Sequence, residues 1–227
     1  MQAFDDKLKE LQTTLNQQAQ QVRQVFSQAV DAYFNNDVSE AQIVIDADVP
    51  IDRVDVEIER ACIPLLGMGE TDETRIRSVL TIVKVNNELE RIADCAVSMA
   101  EIILVSDGVE MRVPPTFRMM ANSVIGMVRD AVGALRDGDV ARATQVLSFD
   151  DTIAAFKREI LLDAQRQVAQ GSFTVEFAFR LHGVVKAIER IADHCTNICE
   201  QVIYLYSGQI VRHLPHGWTQ PSDPDAA

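Results

Sequence analysis

The sequence lacks any long apolar segment. None of its 227 residues falls in an uninterrupted apolar run approaching the ~20 residues that a membrane-spanning helix requires. The first residues, Met1 to Lys7, include neither a cationic stretch nor an apolar stretch, so they do not resemble a secretory signal peptide. We therefore expect no insertion into a membrane and a cytoplasmic location.

Positive charge is also scarce. The sequence has 21 Lys and Arg against 34 Asp and Glu, which gives a formal net charge of -13. Because nucleic acids and anionic membrane surfaces attract basic proteins, this composition argues against both as partners. The excess of acid instead fits cation binding, or docking onto a basic protein.

Cysteine is rare as well. The four residues of this type are Cys62, Cys95, Cys195 and Cys199. Without a secretory signal they are interpreted as reduced thiols, which agrees with a cytoplasmic protein. Cys195 and Cys199 lie one helical turn apart beside His194, and burial in the core explains them better than a soft-metal site.

Glycine, proline and strand-forming patterns are too few for a β-rich fold. The 10 Gly and 7 Pro are clustered, and no segment sustains an alternation of apolar and polar residues. Between the clusters, apolar residues are spaced three and four apart, which is typical of helices. These segments predict six helices, over residues 3–35, 38–66, 71–106, 115–136, 139–169 and 174–207. Helices of this length indicate an all-α fold made of bundles.

The second predicted helix has the clearest core stripe. Its apolar positions alternate between spacings of three and four: Val44, Ala47, Ile51, Val54, Ile58, Ala61 and Leu65. Asp37 or Ser39 can cap its start, and Asp139 can cap the fifth helix after the stop at Gly138. Three aromatic residues near the start of the sixth helix are also predicted to be core: Phe173, Phe177 and Phe179.

The most informative feature is an internal repeat. Residues 90–94 and 189–193 both read Glu-Arg-Ile-Ala-Asp, 99 residues apart, in the third and sixth predicted helices. A weaker match relates residues 44–59 to residues 146–161. Self-similarity at a fixed period indicates duplication. The chain is therefore predicted to form two tandem three-helix units, 1–108 and 113–213, followed by a frayed tail at 214–227.

Acidic side chains line one face of the repeated motif. Glu90 and Asp94 are four residues apart and share a helix face, as do Glu189 and Asp193. The helix before the first motif has a second acidic stripe: Asp48, Asp52, Asp55 and Glu59. Its counterpart in the second unit keeps Asp150 and Asp151, but replaces three acids by Ala154, Lys157 and Leu161. Facing acidic stripes suit hard cations, which prefer oxygen ligands. The alternative is a solvated face neutralised by ion pairs such as Arg91–Asp94.

Signatures of known catalytic sites are missing from the sequence. It contains no Glu-x-x-His di-iron motif and no phosphate-binding Gly-x-x-x-x-Gly-Lys loop. The sequence has no recognisable Ser/His/Asp catalytic arrangement, and no histidine lies near the acidic stripes to act as a general base. A helical metalloenzyme, either a phosphoesterase or an oxidase, is an alternative in which the carboxylate clusters would hold the catalytic metal ions. A plain helical scaffold is the other alternative.

The repeated motifs resemble those of the PhoU family. The resemblance rests on residues 84–94 and 188–200 and covers almost the whole chain in order. It implies two three-helix units and a protein that is not an enzyme but a negative regulator of phosphate uptake and of the phosphate-starvation response. It also implies an adaptor whose partners are a phosphate ABC transporter ATPase and a sensor histidine kinase. A homodimer is left open.

The resemblance further implies bound metal ions. These would be iron, zinc or another divalent cation, held by carboxylates in multinuclear clusters. Carried over residue by residue, the implied ligands are Glu90, Asp94, Glu189, Asp193, Asp48, Asp52 and Asp150. The sequence has Ala93 and Ala192 where the family often has glycine, a small change that leaves close packing intact. The thinner acidic stripe of the second unit leaves a poorer second site, or one of different nuclearity, open.

Overall fold

The computed structural model of the chain describes residues 2–69, 72–105 and 113–211. Within these ranges it has eight helices and no strand, so the all-α prediction is confirmed. The helices are α1 (Gln2–Asn35), α2 (Val38–Asp46), α3 (Asp48–Leu66), α4 (Glu73–Leu104), α5 (Pro115–Asp137), α6 (Val140–Leu147), α7 (Asp150–Ala169) and α8 (Val175–Ser207). None of these helices is long and apolar enough to cross a membrane. Thr71, the junction at 109–112 and the tail at 214–227 lie outside the described residues.

The helices form two units of the same design. In the first unit α1, the pair α2–α3 and α4 correspond in order to α5, the pair α6–α7 and α8 of the second. Helix α4 packs against α8, and α1 contacts α5, so the units share one continuous apolar core. Tandem three-helix bundles are therefore confirmed, with the middle helix of each bundle interrupted.

Side-chain caps fix several helix starts. The carboxylate of Asp37 accepts a hydrogen bond of 3.0 Å from the backbone N–H of Glu40, so Asp37 rather than Ser39 caps α2. Asp139 caps α6 in the same way, after Gly138 ends α5 in the left-handed conformation with φ 67°. The stop and start predicted at this turn are confirmed.

Each middle helix is broken where the sequence analysis predicted one continuous helix. In the first unit Pro50 has no N–H to bond the carbonyl of Asp46, and its ring crowds that carbonyl, so α2 ends before α3 begins. In the second unit the hydroxyl of Ser148 donates a 2.7 Å hydrogen bond to the carbonyl of Gln145. This bond competes with helix hydrogen bonding and accompanies the break between α6 and α7. The prediction of single continuous helices over 38–66 and 139–169 is therefore wrong, because each of these segments forms two helices.

The predicted core positions are mostly but not all buried. Of the α2–α3 stripe, Val44, Ile51, Ile58 and Leu65 are buried and Ala47 and Val54 are half-buried. Ala61 was predicted to be core but is exposed, because Cys62 occupies the inward position. Phe177 is buried against Phe173, whereas Phe179 is 72% exposed, contrary to the prediction. The four cysteines are buried and free, as expected for reduced thiols.

Candidate metal centre

The first acidic cluster consists of Asp48 and Asp52 from α3 and Glu90 and Asp94 from α4. The two helices pack side by side. Asp48 lies within electrostatic reach of Asp52 and Asp94, and Glu90 lies within reach of Asp52 and Asp94. The structure thus brings together the four first-unit residues singled out in the sequence.

Negative charge in this cluster is only partly compensated. Burial is the main cause that raises the pKa of Asp48, and the charges of Asp52 and Asp94 raise it further. Burial also raises the pKa of Glu90; Asp94 adds to this effect, and the guanidinium of Arg91 opposes it. Because Asp48 and Glu90 are harder to ionise beside the other carboxylates, a cation placed among them would relieve the repulsion.

Arg91 supplies the counter-charge expected for a solvated acidic face. Its Nε lies 3.2 Å from Oε2 of Glu90, and its Nη1 lies 3.1 Å from Oδ2 of Asp94. The Arg91 side chain is 47% exposed, and ion pairs at such exposure contribute about 0–1 kcal/mol. Arg91 therefore compensates the negative charge of the cluster only weakly.

The donor set of the first cluster suits a hard metal ion, but the carboxylates are not pre-arranged around one point. Carboxylate oxygens are the ligands that calcium, magnesium, manganese and ferric ions prefer. Across the ranges that the structure describes, no three His, Cys, Asp or Glu side chains converge closely enough to hold one ion. Coordination at this cluster would therefore require its carboxylates to rotate, which side chains as exposed as Asp52 do rapidly. The metal ligands remain a prediction.

The second acidic cluster is built differently. It comprises Asp150 of α7 with Glu189 and Asp193 of α8. Nζ of Lys157 lies 2.9 Å from each carboxylate oxygen of Glu189, and Nζ of Lys186 lies 2.7 Å from one of them. Burial raises the pKa of Glu189, but the hydrogen bonds from Lys186 and Lys157 outweigh burial and hold the pKa below its ordinary value.

Lys157 occupies the place that an acid holds in the first unit. In the repeat alignment it stands at the position of Asp55, whose pKa is raised by burial and then by the charge of Glu59. The α7 side chain nearest Glu189 is therefore a fixed cation instead of a carboxylate. Burial raises the pKa of Asp193, and the charges of Glu189 and Asp150 raise it further. The three second-unit residues are thus brought together around a site that already contains a cation.

The contact of Glu88 with His194 and Asn197, which joins the two units, was not predicted from the sequence. Nδ1 of His194 lies 2.7 Å from Oε2 of Glu88, and the amide of Asn197 donates a 3.0 Å hydrogen bond to the same oxygen. Burial opposes protonation, but hydrogen bonds to Cys95 and Glu88 outweigh it and raise the pKa of His194 to about 9. No local pattern connects Glu88 to a histidine 106 residues away. The Lys157 contact, in contrast, could have been found by aligning the two repeats.

Known proteins resemble this chain along nearly its full length. The family described as "PhoU domain" matches residues 15–103 and again residues 117–202. The phosphate-specific transport system accessory protein PhoU homolog of Aquifex aeolicus is 31% identical over 209 residues, covering 90% of this chain and 95% of that protein. PhoU homolog 1 of Thermotoga maritima is 26% identical over 216 residues, covering 94% and 93%.

Solved structures show the same architecture. The crystal structure of PhoU from Pseudomonas aeruginosa superposes with a TM-score of 0.86 at 26% identity, covering 91% of this chain and 100% of that one. PhoU from Streptococcus pneumoniae gives a TM-score of 0.84 at 23% identity, covering 92% and 99%, and supports the fold alone. Both repeats match the same domain, and the resemblance inferred from the repeated Glu-Arg-Ile-Ala-Asp motif is confirmed. The chain belongs to the PhoU family.

Proposed function

We propose that this protein is an accessory regulator of phosphate transport that acts by binding rather than by catalysis. The observation that supports this most directly is the PhoU match in both repeats. Relatives that cover more than nine-tenths of the chain are named as accessory proteins of phosphate-specific transport systems. In this proposal the protein restrains phosphate uptake and the phosphate-starvation response when phosphate is plentiful.

Two partners are proposed for this role: the ATPase of a phosphate ABC transporter and a sensor histidine kinase. The protein would work in the cytoplasm, on the side of the membrane where a transporter ATPase hydrolyses ATP. A formal charge of -13 supports docking onto basic partner surfaces, because opposite charges accelerate encounter and favour correct orientation. A homodimer remains a further arrangement to test.

We assign metal binding in this proposal to the first acidic cluster. Glu90 and Asp94 of α4, with Asp48 and Asp52 of α3, would supply the oxygen ligands for iron, zinc or another divalent cation. A bound cation would neutralise these carboxylates, including Asp48 and Glu90, whose pKa values are raised by burial and by the neighbouring negative charges. The ion would stiffen the contact between α3 and α4.

The second acidic cluster fits a metal ion less well. Glu189, Asp193 and Asp150 were implied as ligands, yet both oxygens of Glu189 already accept hydrogen bonds from Lys157. A metal ion at Glu189 would have to displace this ammonium group. We therefore propose that Lys157 substitutes for a metal ion in the second unit.

The metalloenzyme alternative gains no specific support. Of the histidines within the described residues, His194 is engaged by Glu88 and His182 lies on the opposite flank of α8, facing the α7 side. Neither accompanies the first acidic cluster as a general base. The plain scaffold differs from our proposal in one respect, since it predicts that removing metal changes neither stability nor partner binding.

Deletion of the gene in the source organism tests the regulatory role. Phosphate uptake and a reporter of the starvation response are measured at high phosphate, with and without a plasmid copy. We expect both to rise in the deletion strain and to return to the wild-type level with the plasmid copy. Unchanged uptake and unchanged reporter expression in the deletion strain would contradict the proposal.

Elemental analysis tests the metal assignment. Protein purified without chelator or affinity metal is compared with two double variants, Glu90→Ala with Asp94→Ala and Glu189→Ala with Asp193→Ala. We expect stoichiometric metal in the wild type, loss in the first variant and retention in the second. Equal losses in both variants would reject the special status of the first cluster. A wild type that stays metal-free after incubation with iron, zinc and manganese would reject the metal proposal.

A further inference from the structure

A groove of about 470 Å³ lies between α7 and α8, next to the turn that joins these helices. Six apolar side chains line it: Leu161, Ala164, Val168, Val175, Ala178 and Phe179. None of the described lining residues is acidic, although the chain as a whole has a formal charge of -13. Val175 is 58% exposed and Phe179 is 72% exposed. Large apolar side chains exposed side by side indicate an interaction surface.

The first unit has a matching surface between α3 and α4. Subtracting the two offsets of the repeat, 102 residues for α7 and 99 residues for α8, gives the counterpart of each groove residue. Ile63, Leu66 and Leu80 are among these counterparts and are 67%, 47% and 42% exposed. Both units therefore expose apolar side chains at the same place in the bundle. Face 1 comprises Glu59, Ile63, Leu66, Ile76, Leu80 and Val83. Face 2 comprises Leu161, Gln165, Val168, Val175, Phe179 and His182.

The positions that border the two faces differ in charge. Beside face 1 the chain has Asp55, Val56 and Asn87, and the aligned residues beside face 2 are Lys157, Arg158 and Lys186. Glu59 within face 1 corresponds to the apolar Leu161 of face 2. Lys157 and Lys186 share the single carboxylate of Glu189. Positive charge therefore remains in excess beside face 2.

Lys84 also lies beside face 1, but it does not cancel the acidic charge there. Its Nζ lies 5.6 Å from the centre of the Tyr204 ring, where a cation–π contact holds it against α8. Together with Asp55 and Glu59 it borders a cavity whose other charged lining residues, Glu88 and Glu200, are acidic. Face 1 is thus an apolar surface with an acidic border, and face 2 is an apolar surface with a basic border.

The two faces lie toward opposite ends of the molecule. Helices α4 and α8 run antiparallel, since Arg77 lies beside Gly208 and Ile102 lies beside Gly183. Face 1 is on the N-terminal part of α4, and face 2 is on the N-terminal part of α8. At 1.5 Å per residue, about 20 residues of helix separate the faces by roughly 30 Å along the helix axes. One copy of the protein therefore cannot cover one of its faces with the other.

We propose that face 1 of one copy of this protein binds face 2 of a second copy. Burial of the exposed apolar side chains drives the association, and the opposite charges of the two borders orient it. Pairing of like faces is disfavoured, because it brings together two acidic or two basic borders. The contact forms either twice within a closed dimer or once between successive copies. It is independent of the metal assignment and of the proposed role in phosphate regulation.

Sedimentation velocity of the full-length protein tests the contact. We expect association that increases with protein concentration, with a Kd about tenfold higher at about 300 mM than at about 50 mM sodium chloride. Leu80→Lys in face 1 and Phe179→Asp in face 2 each introduce the charge that the opposing border already has. Each variant should sediment as a monomer, because every contact needs one intact face of each kind.

A mixture of the two variants separates this contact from a pairing of like faces. Leu80→Lys retains face 2 and Phe179→Asp retains face 1, so the mixture should form a complex of one copy of each. If like faces paired, one of the two variants would associate by itself. Ile63→Lys and Val175→Asp repeat the test at a second exposed position of each face, so a folding defect in one variant does not decide the result.

An exposed apolar residue outside both faces provides the control. Ile43 of α2 is 51% exposed, and Ile43→Asp should associate as the wild type does. A wild type that is monomeric at every concentration would overturn the proposal and assign the faces to a different protein. Wild-type association by Leu80→Lys or Phe179→Asp alone, a mixture that forms no complex, or an equal loss of association in Ile43→Asp would also overturn it.

Discussion

His194 and Glu88 form a contact of 2.7 Å that joins α8 to α4 and thus one repeat to the other. Both side chains are largely buried, with 16% and 21% exposed. In the unfolded chain His194 would have its ordinary pKa of 6.5, whereas in the folded protein the pKa is about 9. The pair therefore stabilises the fold fully below pH 6.5, and this contribution is lost as the pH rises through 9.

Glu88→Gln should reveal this pH dependence. We expect the substitution to lower the free energy of unfolding by about 2 kcal/mol at pH 6, and by a small fraction of that at pH 10. Denaturant unfolding at a series of pH values measures the difference. His182→Gln, on the exposed side of the same helix, is the control and should show no such trend. A loss that is equal at pH 6 and pH 10 would show that His194 is not protonated in the folded protein.

Lys157→Asp should convert the second acidic cluster into one like the first. The variant places a carboxylate beside Glu189 and Asp193, so without metal its free energy of unfolding should fall by about 2 kcal/mol. An added divalent cation should restore part of this loss by binding the folded state alone. Arg158→Asp makes the same charge change at the next, exposed position and should respond to the cation less. If an added cation leaves the melting temperature of Lys157→Asp unchanged, the proposal that Lys157 substitutes for a metal ion is contradicted.

Partner binding should weaken as salt is added. If docking depends on the formal charge of -13, the Kd for a basic partner should rise about tenfold between 50 and 300 mM sodium chloride, mainly through slower association. Surface plasmon resonance with the transporter ATPase or the cytoplasmic part of the kinase measures both rates. A Kd independent of salt would show that apolar contacts, rather than charge, hold the complex.

Two glycines in or just after α5 should respond in opposite ways to alanine. Gly138 has φ 67°, and a Cβ there would lie 2.6 Å from the ring and hydroxyl of Tyr206, so Gly138→Ala should destabilise the fold by about 1–3 kcal/mol. Gly126 lies inside α5 with no neighbouring atom within 4 Å of an added Cβ. Gly126→Ala should therefore raise the free energy of unfolding by about 0.5–1 kcal/mol. Thermal unfolding of both variants checks the pair, and an equal effect would contradict it.

The fold was largely predictable because its signals are local. Capping by Asp37 and Asp139, the turn at Gly138 and the spacing of apolar residues each depend on a few neighbouring positions. The break at Ala47 could also have been predicted, because Pro50 removes a helix hydrogen bond. The regular apolar stripe across this position favoured one continuous helix instead. Nothing comparable marks Ser148, where a side-chain hydrogen bond competes with the backbone.

The site was predictable in composition but not in arrangement. The repeat identified Glu90 and Asp94, but it did not reveal the charge on the facing helix, which in our proposal decides whether such a pair attracts a metal ion. Lys157 changes that balance in the second unit, and its effect depends on a tertiary contact of 2.9 Å. The wrong prediction for Phe179 has a local cause. Phe179 lies two residues after the buried Phe177, and side chains two residues apart in a helix point to nearly opposite sides.

The packing of α4 against α8 has a consequence for how the duplicated chain unfolds. Helices α4 and α8 both contribute to one apolar core, so neither repeat encloses its own interior completely. A chain cut between the repeats would expose the α4 and α8 surfaces to water, and each half would tend to associate with another copy. The shared core therefore predicts that the two repeats unfold together as one cooperative unit.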